Sequence, residues 1–169
     1  MSRAAAKEAG TELETTVVDG QDGLEAVSDA EAEWYDARTT TPLPASQQLP
    51  LAGLLAVPAE TPVEIKAAQV RTEGGRVRGR WYFKRRAHEQ LLAASGVYYL
   101  VVYDSPAEDE GDGEREVVAE LVVSAAIVDE ALGAWIDVSG RRSEEQVAKL
   151  SWSVLIDPAE IPGEGGDQA

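Results

Sequence analysis

Seven consecutive apolar residues, Val97-Tyr98-Tyr99-Leu100-Val101-Val102-Tyr103, leave this chain few ways to fold. Alternating apolar and polar positions would mark a strand with one wet face. An unbroken run of β-branched and aromatic side chains marks a strand covered on both faces. Residues 86–95, just before it, read as a helix with Leu91 and Leu92 turned inward and Gly96 as its stop. A helix feeding a doubly covered strand predicts an α/β fold, a mixed central β-sheet flanked by helices.

The flanking segments extend that sheet. Residues 62–71 read as a strand with Glu64 and Lys66 on one face and Val63, Ile65 and Ala67 on the other. Glu73-Gly74-Gly75-Arg76 is a hairpin turn, because Gly-Gly accepts positive φ. Residues 78–84 return as the next strand, Trp81 and Phe83 on one face and Arg80, Tyr82 and Lys84 on the other. Upstream, residues 2–15 are strong helix formers apart from Gly10, with Glu12 and Glu14 near the end. Asp19-Gly20 and Asp22-Gly23 mark a turn, and 24–28 and 33–38 are short strands. The second places Trp34 and Asp36 on one face. Prolines at 42, 44, 50, 58 and 62 make 39–61 an irregular connection, with 49–57 as an apolar hairpin arm or strand.

Downstream, 105–114 is an acidic loop, 117–123 a strand, and Ser124 the N-cap of a helix through Leu132. Residues 135–138 pack as a short segment, 144–150 make one or two helical turns, and 151–156 form a last extended segment. One domain, 1–157, and a flexible acidic tail, 158–169, complete the expectation.

Composition narrows the chemistry. The chain has no cysteine, which removes disulfides, thiolate nucleophiles and cysteine zinc sites, and one histidine, His88. No run approaches a membrane span and no signal-peptide core opens the chain, so a soluble, cytoplasmic protein is expected. The net charge is −16 and only four bases are lysine, a composition that resembles proteins of salt-accumulating halophiles. Residues 63–103 run against this trend, with eight bases to three acids. Seven of those bases lie between 71 and 86, which points to a polyanion partner.

An acid on one strand and Glu64, from Glu64-Ile65-Lys66 on an adjoining strand, can together hold a hard divalent cation such as Mg²⁺ or Mn²⁺. The Ile65 carbonyl offers a further ligand. Lys66, on the face of Glu64, can position a water or offset charge on a phosphate. These residues resemble the PD-(D/E)xK nuclease superfamily, with its restriction-endonuclease-like core, and within it the archaeal Holliday-junction-resolvase branch. The resemblance covers roughly residues 5–104. It assigns the helical acid to Glu12 or Glu14, the aspartate to Asp36 and the (E/D)xK motif to Glu64-Ile65-Lys66. A polar residue past the lysine falls on Gln69, and 86–92 open the supporting helix with His88 and Gln90 as accessory candidates. Two features depart from the family: no proline precedes Asp36, and 28 residues separate Asp36 from Glu64.

What the resemblance implies is a metal-dependent DNA endonuclease that hydrolyses phosphodiester bonds, branched DNA included, and works as a homodimer. Asp36, Glu64 and Ile65 would hold the metal and Lys66 would handle the attacking water. Arg76, Arg78, Arg80, Lys84, Arg85 and Arg86 would contact phosphates. A second reading is a catalytically inactive nuclease-like module that binds DNA or protein. A third is a structural protein whose basic strand pairs with its own acids.

Overall fold

A computed structural model describes residues 3–44, 56–72, 75–104, 115–138 and 145–164, with the side chains of 3–10 excepted. In chain order the elements are α1 (Arg3–Gly20), β1 (Leu24–Ala26), β2 (Ala37–Thr39), β3 (Leu43–Pro44), β4 (Ala56–Val57), β5 (Pro62–Gln69), β6 (Arg71–Thr72) and β7 (Val77–Arg78). Then come β8 (Arg80–Lys84), α2 (Arg85–Ala93), β9 (Val97–Asp104), β10 (Glu116–Ser124), α3 (Ala125–Ala131), β11 (Ile136–Asp137) and β12 (Gln146–Ser151). Two short 3₁₀ turns follow, Trp152–Val154 and Pro158–Glu160.

The main sheet is mixed, in the order β1-β2-β5-β9-β10. Only β5 and β9 run parallel, and β8 and α2 form the crossover between them. The apolar run of β9 is buried at every position from Val97 to Tyr103. One face packs with Tyr98, Leu100 and Val102 against Trp81, Phe83, Leu91 and Trp152. The other packs Val97, Tyr99 and Val101 with Val63, Ile65 and Val17 of α1. Double coverage is why this strand shows no period of two.

Residues 62–84 do not make one long hairpin in this sheet. The hairpin is only β6 against β7, and β8 leaves to form a second sheet in the order β11-β12-β8. Gly79 makes the departure sterically workable: a Cβ there would lie 1.8 Å from the Gln69 carbonyl oxygen. β8 still alternates as expected, with Trp81 and Phe83 fully buried and Arg80, Tyr82 and Lys84 exposed. Its partner β12 falls where helical turns were expected, and the segment after it is a 3₁₀ turn rather than a strand. Pairing along β8 outweighs the weak helical preference of Gln146, Ala148, Lys149 and Leu150.

Helix ends follow local chemistry. The Ser124 hydroxyl caps α3 by accepting the Ile127 N–H at 3.4 Å. After α2 it is Ser95, not Gly96, that takes positive φ (53°). Gly96 is required for a different reason, since a Cβ there would press on Leu91 and on the Pro62 carbonyl. α1 runs five residues beyond its expected end, to Gly20. β3 and β4 close the base of the proline-rich connection, whose 49–55 portion lies outside the described residues. Residues 158–164 are not a frayed tail: Ile161 is buried, and the Glu164 side chain, 3 % exposed, pairs with Arg71 and Arg78.

Candidate active site

The site forms where β2 gives out. β2 pairs with β5 only at Ala37↔Val63 and Arg38↔Pro62. One residue earlier the Asp36 N–H still donates to the Val63 carbonyl at 3.0 Å. The next position on that edge of β5 is Ile65, and no strand among the described residues covers it there. Its N–H and C=O need partners in a site this buried. Side chains supply them: Asp36 Oδ2 accepts the Ile65 N–H at 2.7 Å, and the Lys66 ammonium donates to the Ile65 carbonyl at 3.0 Å.

Lys66 Nζ also lies 2.5 Å from Glu64 Oε1 and 4.0 Å from Asp36 Oδ2. The ammonium therefore sits among oxygens of Asp36, Glu64 and Ile65, the three groups that the sequence marks for a divalent cation. It acts as a stand-in ion. Two carboxylates and a carbonyl are a hard donor set of the kind Mg²⁺ and Mn²⁺ take, so the residues present fit such an ion. Among the described residues no three His, Asp or Glu side chains converge as a complete metal cluster. A bound ion would draw its remaining ligands from the Ile65 carbonyl and from oxygens outside the chain.

Exposure rises across the group, from 12 % for the Glu64 side chain through 22 % for Lys66 to 31 % for Asp36. Burial pushes the Glu64 carboxyl up to about 7; the Lys66 ammonium opposes that rise and the Asp36 charge adds to it. Burial works against the Lys66 charge as well, yet Glu64 and Asp36 outweigh it and hold its pKa above the usual lysine value.

Glu14 belongs to the same electrostatic neighbourhood. Burial raises its pKa, the Asp36 charge raises it further, and Lys66 pulls it down. Glu12 does not share this setting: its exposed carboxylate pairs with Arg115. Helical geometry explains the difference. Leu13 and Val17 are the buried stripe of α1, and Glu14 stands at its margin, one turn from partly buried Val18.

The structure moves several accessory candidates away from the carboxylates. Gln69 alternates onto the opposite face of β5 from Glu64 and Lys66. His88 is 1 % exposed and serves packing. Its Nδ1 lies 2.8 Å from the Tyr98 hydroxyl and its Nε2 3.1 Å from Asp129 Oδ1, tying α2 to β9 and α3. Tyr98 itself sits directly across from Glu64 in the parallel register. Burial raises its hydroxyl pKa and the Glu64 charge raises it further. Sequence reading left Tyr98 in the core; no local signal ties it to Glu64, because the link is register between strands.

The basic residues separate into two groups. Arg78 is not a free phosphate ligand: its Nε donates to Glu164 Oε2 at 2.9 Å and its guanidinium lies 5.5 Å from the Trp152 ring centroid. Lys84 pairs with Glu145 at 3.2 Å, and Arg85 bonds Glu89 at 2.8 Å and Gln146 at 2.7 Å. Arg76, Arg80 and Arg86 are exposed, with no carboxylate partner among the described residues. A groove of about 730 Å³ runs between residues 31–34 and the start of α2. Trp34, Lys84, Arg86 and Gln90 line it, together with the acids Glu31, Glu33, Glu89 and Glu145. Asp36, Glu64 and Lys66 are not among the residues that line it.

No curated protein and no solved structure matches the chain. A family model described as the PD-(D/E)XK nuclease superfamily domain matches residues 1–157. The mixed five-stranded sheet with its flanking helices agrees with that match. By this match, covering nearly its whole length, the chain belongs to the PD-(D/E)XK nuclease superfamily.

Proposed function

We propose that the protein is a divalent-metal-dependent endonuclease that hydrolyses phosphodiester bonds in DNA, with plasmid and branched DNA as its substrates. The observation that carries this reading is the ammonium of Lys66 held among oxygens of Asp36, Glu64 and Ile65 at the open edge of β5. Asp36, Glu64 and the Ile65 carbonyl hold the ion, Mg²⁺ or Mn²⁺. When bound, that ion polarises the scissile phosphate and favours ionisation of water. Lys66 keeps a positive charge beside the reacting phosphate, orienting the attacking water or offsetting charge that gathers on the phosphate oxygens. Asp36 fixes the open strand edge through its bond to the Ile65 N–H, which holds the carbonyl in place. Arg86 and Gln90 line the approach for the phosphate backbone, with Arg76 and Arg80 as further unpartnered cations.

Plasmid and four-way-junction cleavage under Mg²⁺ and Mn²⁺ titration, at low and at molar KCl, tests the reading. Glu64→Ala and Lys66→Ala should each lower the cleavage rate by roughly a hundredfold or more, with circular dichroism unchanged. Cleavage by both variants at the wild-type rate would remove the proposal. Metal binding by the wild type without cleavage would select the inactive DNA-binding module.

A further inference from the structure

The second sheet turns its inner face to the core, and on its outer face the described residues leave Arg80, Tyr82, Lys84 and Lys149 exposed. On β8 that face carries Arg80, Tyr82 and Lys84. Lys149 of β12 stands directly opposite Tyr82, with its Nζ 4.9 Å from the ring centroid. Tyr82 is 55 % exposed and Ile136, on the neighbouring strand, 51 %. Among the described residues no aromatic ring stacks on Tyr82. One acid, Glu145, reaches the rim and pairs with Lys84. In a chain of net charge −16 with four lysines, two of those lysines and an arginine surround one exposed tyrosine.

We infer that this face is a binding platform for an unpaired, single-stranded segment of DNA. Charge complementarity selects a polyanion, and the exposed ring selects a polymer whose bases are free to stack. Bases in a duplex already stack on one another and leave no face for Tyr82. Alternate residues on a strand are about 6.6 Å apart. Arg80 and Lys149 therefore supply the cations on either side of the Tyr82 ring, and Lys84, held by Glu145, ends the row on β8. Lys84 also lines the groove beside Trp34 and the start of α2. The inference rests on the nucleic-acid part of the proposed function and not on cleavage.

Anisotropy of a fluorescein-labelled oligothymidylate, measured with the full chain in EDTA, tests it. Tyr82→Ala should weaken binding roughly 5- to 150-fold, the range for losing one base–aromatic stack, and Tyr82→Phe should bind like wild type. Raising KCl should weaken wild-type binding, because the cations contribute through phosphate, while the ratio between wild type and Tyr82→Ala persists. If Tyr82→Ala does not fold, Lys149→Glu at its exposed site carries the test and should also weaken binding. Equal affinity of Tyr82→Ala and wild type, no binding by wild type, or tighter binding to a blunt duplex of the same sequence would each overturn the platform. Tyr82-dependent binding without cleavage of any DNA would instead leave the platform standing and remove the nuclease.

Discussion

Glu64 offers a test of the site that needs no substrate. Its carboxyl is buried beside a second carboxylate, and its pKa is raised from 4.5 to about 7. In the unfolded chain Glu64 loses its proton near the ordinary value, whereas in the folded protein it keeps the proton until about 7. Across that window the folded state binds more protons than the unfolded state, so stability falls as pH rises. The contribution is fully present below 4.5 and lost above about 7. A tenfold change in proton affinity is worth about 1.4 kcal/mol, which makes the whole change about 3 kcal/mol. Glu64→Gln removes this titration while keeping the shape of the side chain. Asp36 stays beside Lys66 in both proteins. Urea denaturation in EDTA at a series of pH values should show the wild type losing about 3 kcal/mol relative to Glu64→Gln between the two limits. Mg²⁺ or Mn²⁺ should bind more tightly as pH rises through the same window, since a carboxylate must ionise to hold it. Parallel stability curves for the two proteins, within about 0.5 kcal/mol, would show that Glu64 titrates as an ordinary surface acid and would refute the account of its burial.

Glu164→Gln should lower stability by about 1–3 kcal/mol in urea denaturation. That is less than a fully buried ion pair would lose, because Arg71 and Arg78 are about a third exposed. Its carboxyl is held below the usual value: burial works against the charge, but hydrogen bonds from Arg71 and Arg78 outweigh it. The stability it adds is present above the ordinary carboxylate range and lost as pH falls, so the variant should also lose less on acidification. An unchanged midpoint would mean that the pairing of residues 158–164 with the hairpin contributes nothing. His88→Ala should cost about 2–4 kcal/mol through the lost bonds to Tyr98 and Asp129 and the cavity left behind. Cleavage, measured where the variant is folded, should stay within a few-fold of wild type. A hundredfold loss of rate at unchanged melting temperature would make His88 a catalytic group instead.

Segments whose burial writes a pattern into the sequence were legible. β9 shows its double coverage as an unbroken apolar run, and β8 shows its single buried face as alternation. β12 was not legible, because Ala148, Lys149 and Leu150 suit a helix and only the edge of β8 makes them a strand. Glu64 and Lys66 were legible as neighbours on one face because both stand on one strand, two residues apart. The open edge at Ile65 was not, since it depends on where β2 stops, and β2 is only three residues long. The choice between Glu12 and Glu14 turned on which side of the Leu13–Val17 stripe packs on the sheet.

The basic stretch carries the same lesson in charge. Read along the chain, Arg78 and Arg80 are equivalent: both flank Gly79, and both are arginines in an acidic protein. The fold makes them opposites. Arg78 is taken up by Glu164, 86 residues away, and by the ring of Trp152, so its charge is spent on holding the C-terminal turn to the hairpin. Arg80 points from the outer face of β8 with no acid to meet it among the described residues. Self-pairing therefore accounts for Arg78, Lys84 and Arg85, and it leaves Arg80 available to a polyanion. A polyanion responds to the cations left over after internal pairing, not to the sum of charges, and that remainder is set by contacts distant in sequence. Net charge along the chain thus located the surface, and only the pairing of Glu164, Glu145 and Glu89 decides which cations on it are free to bind.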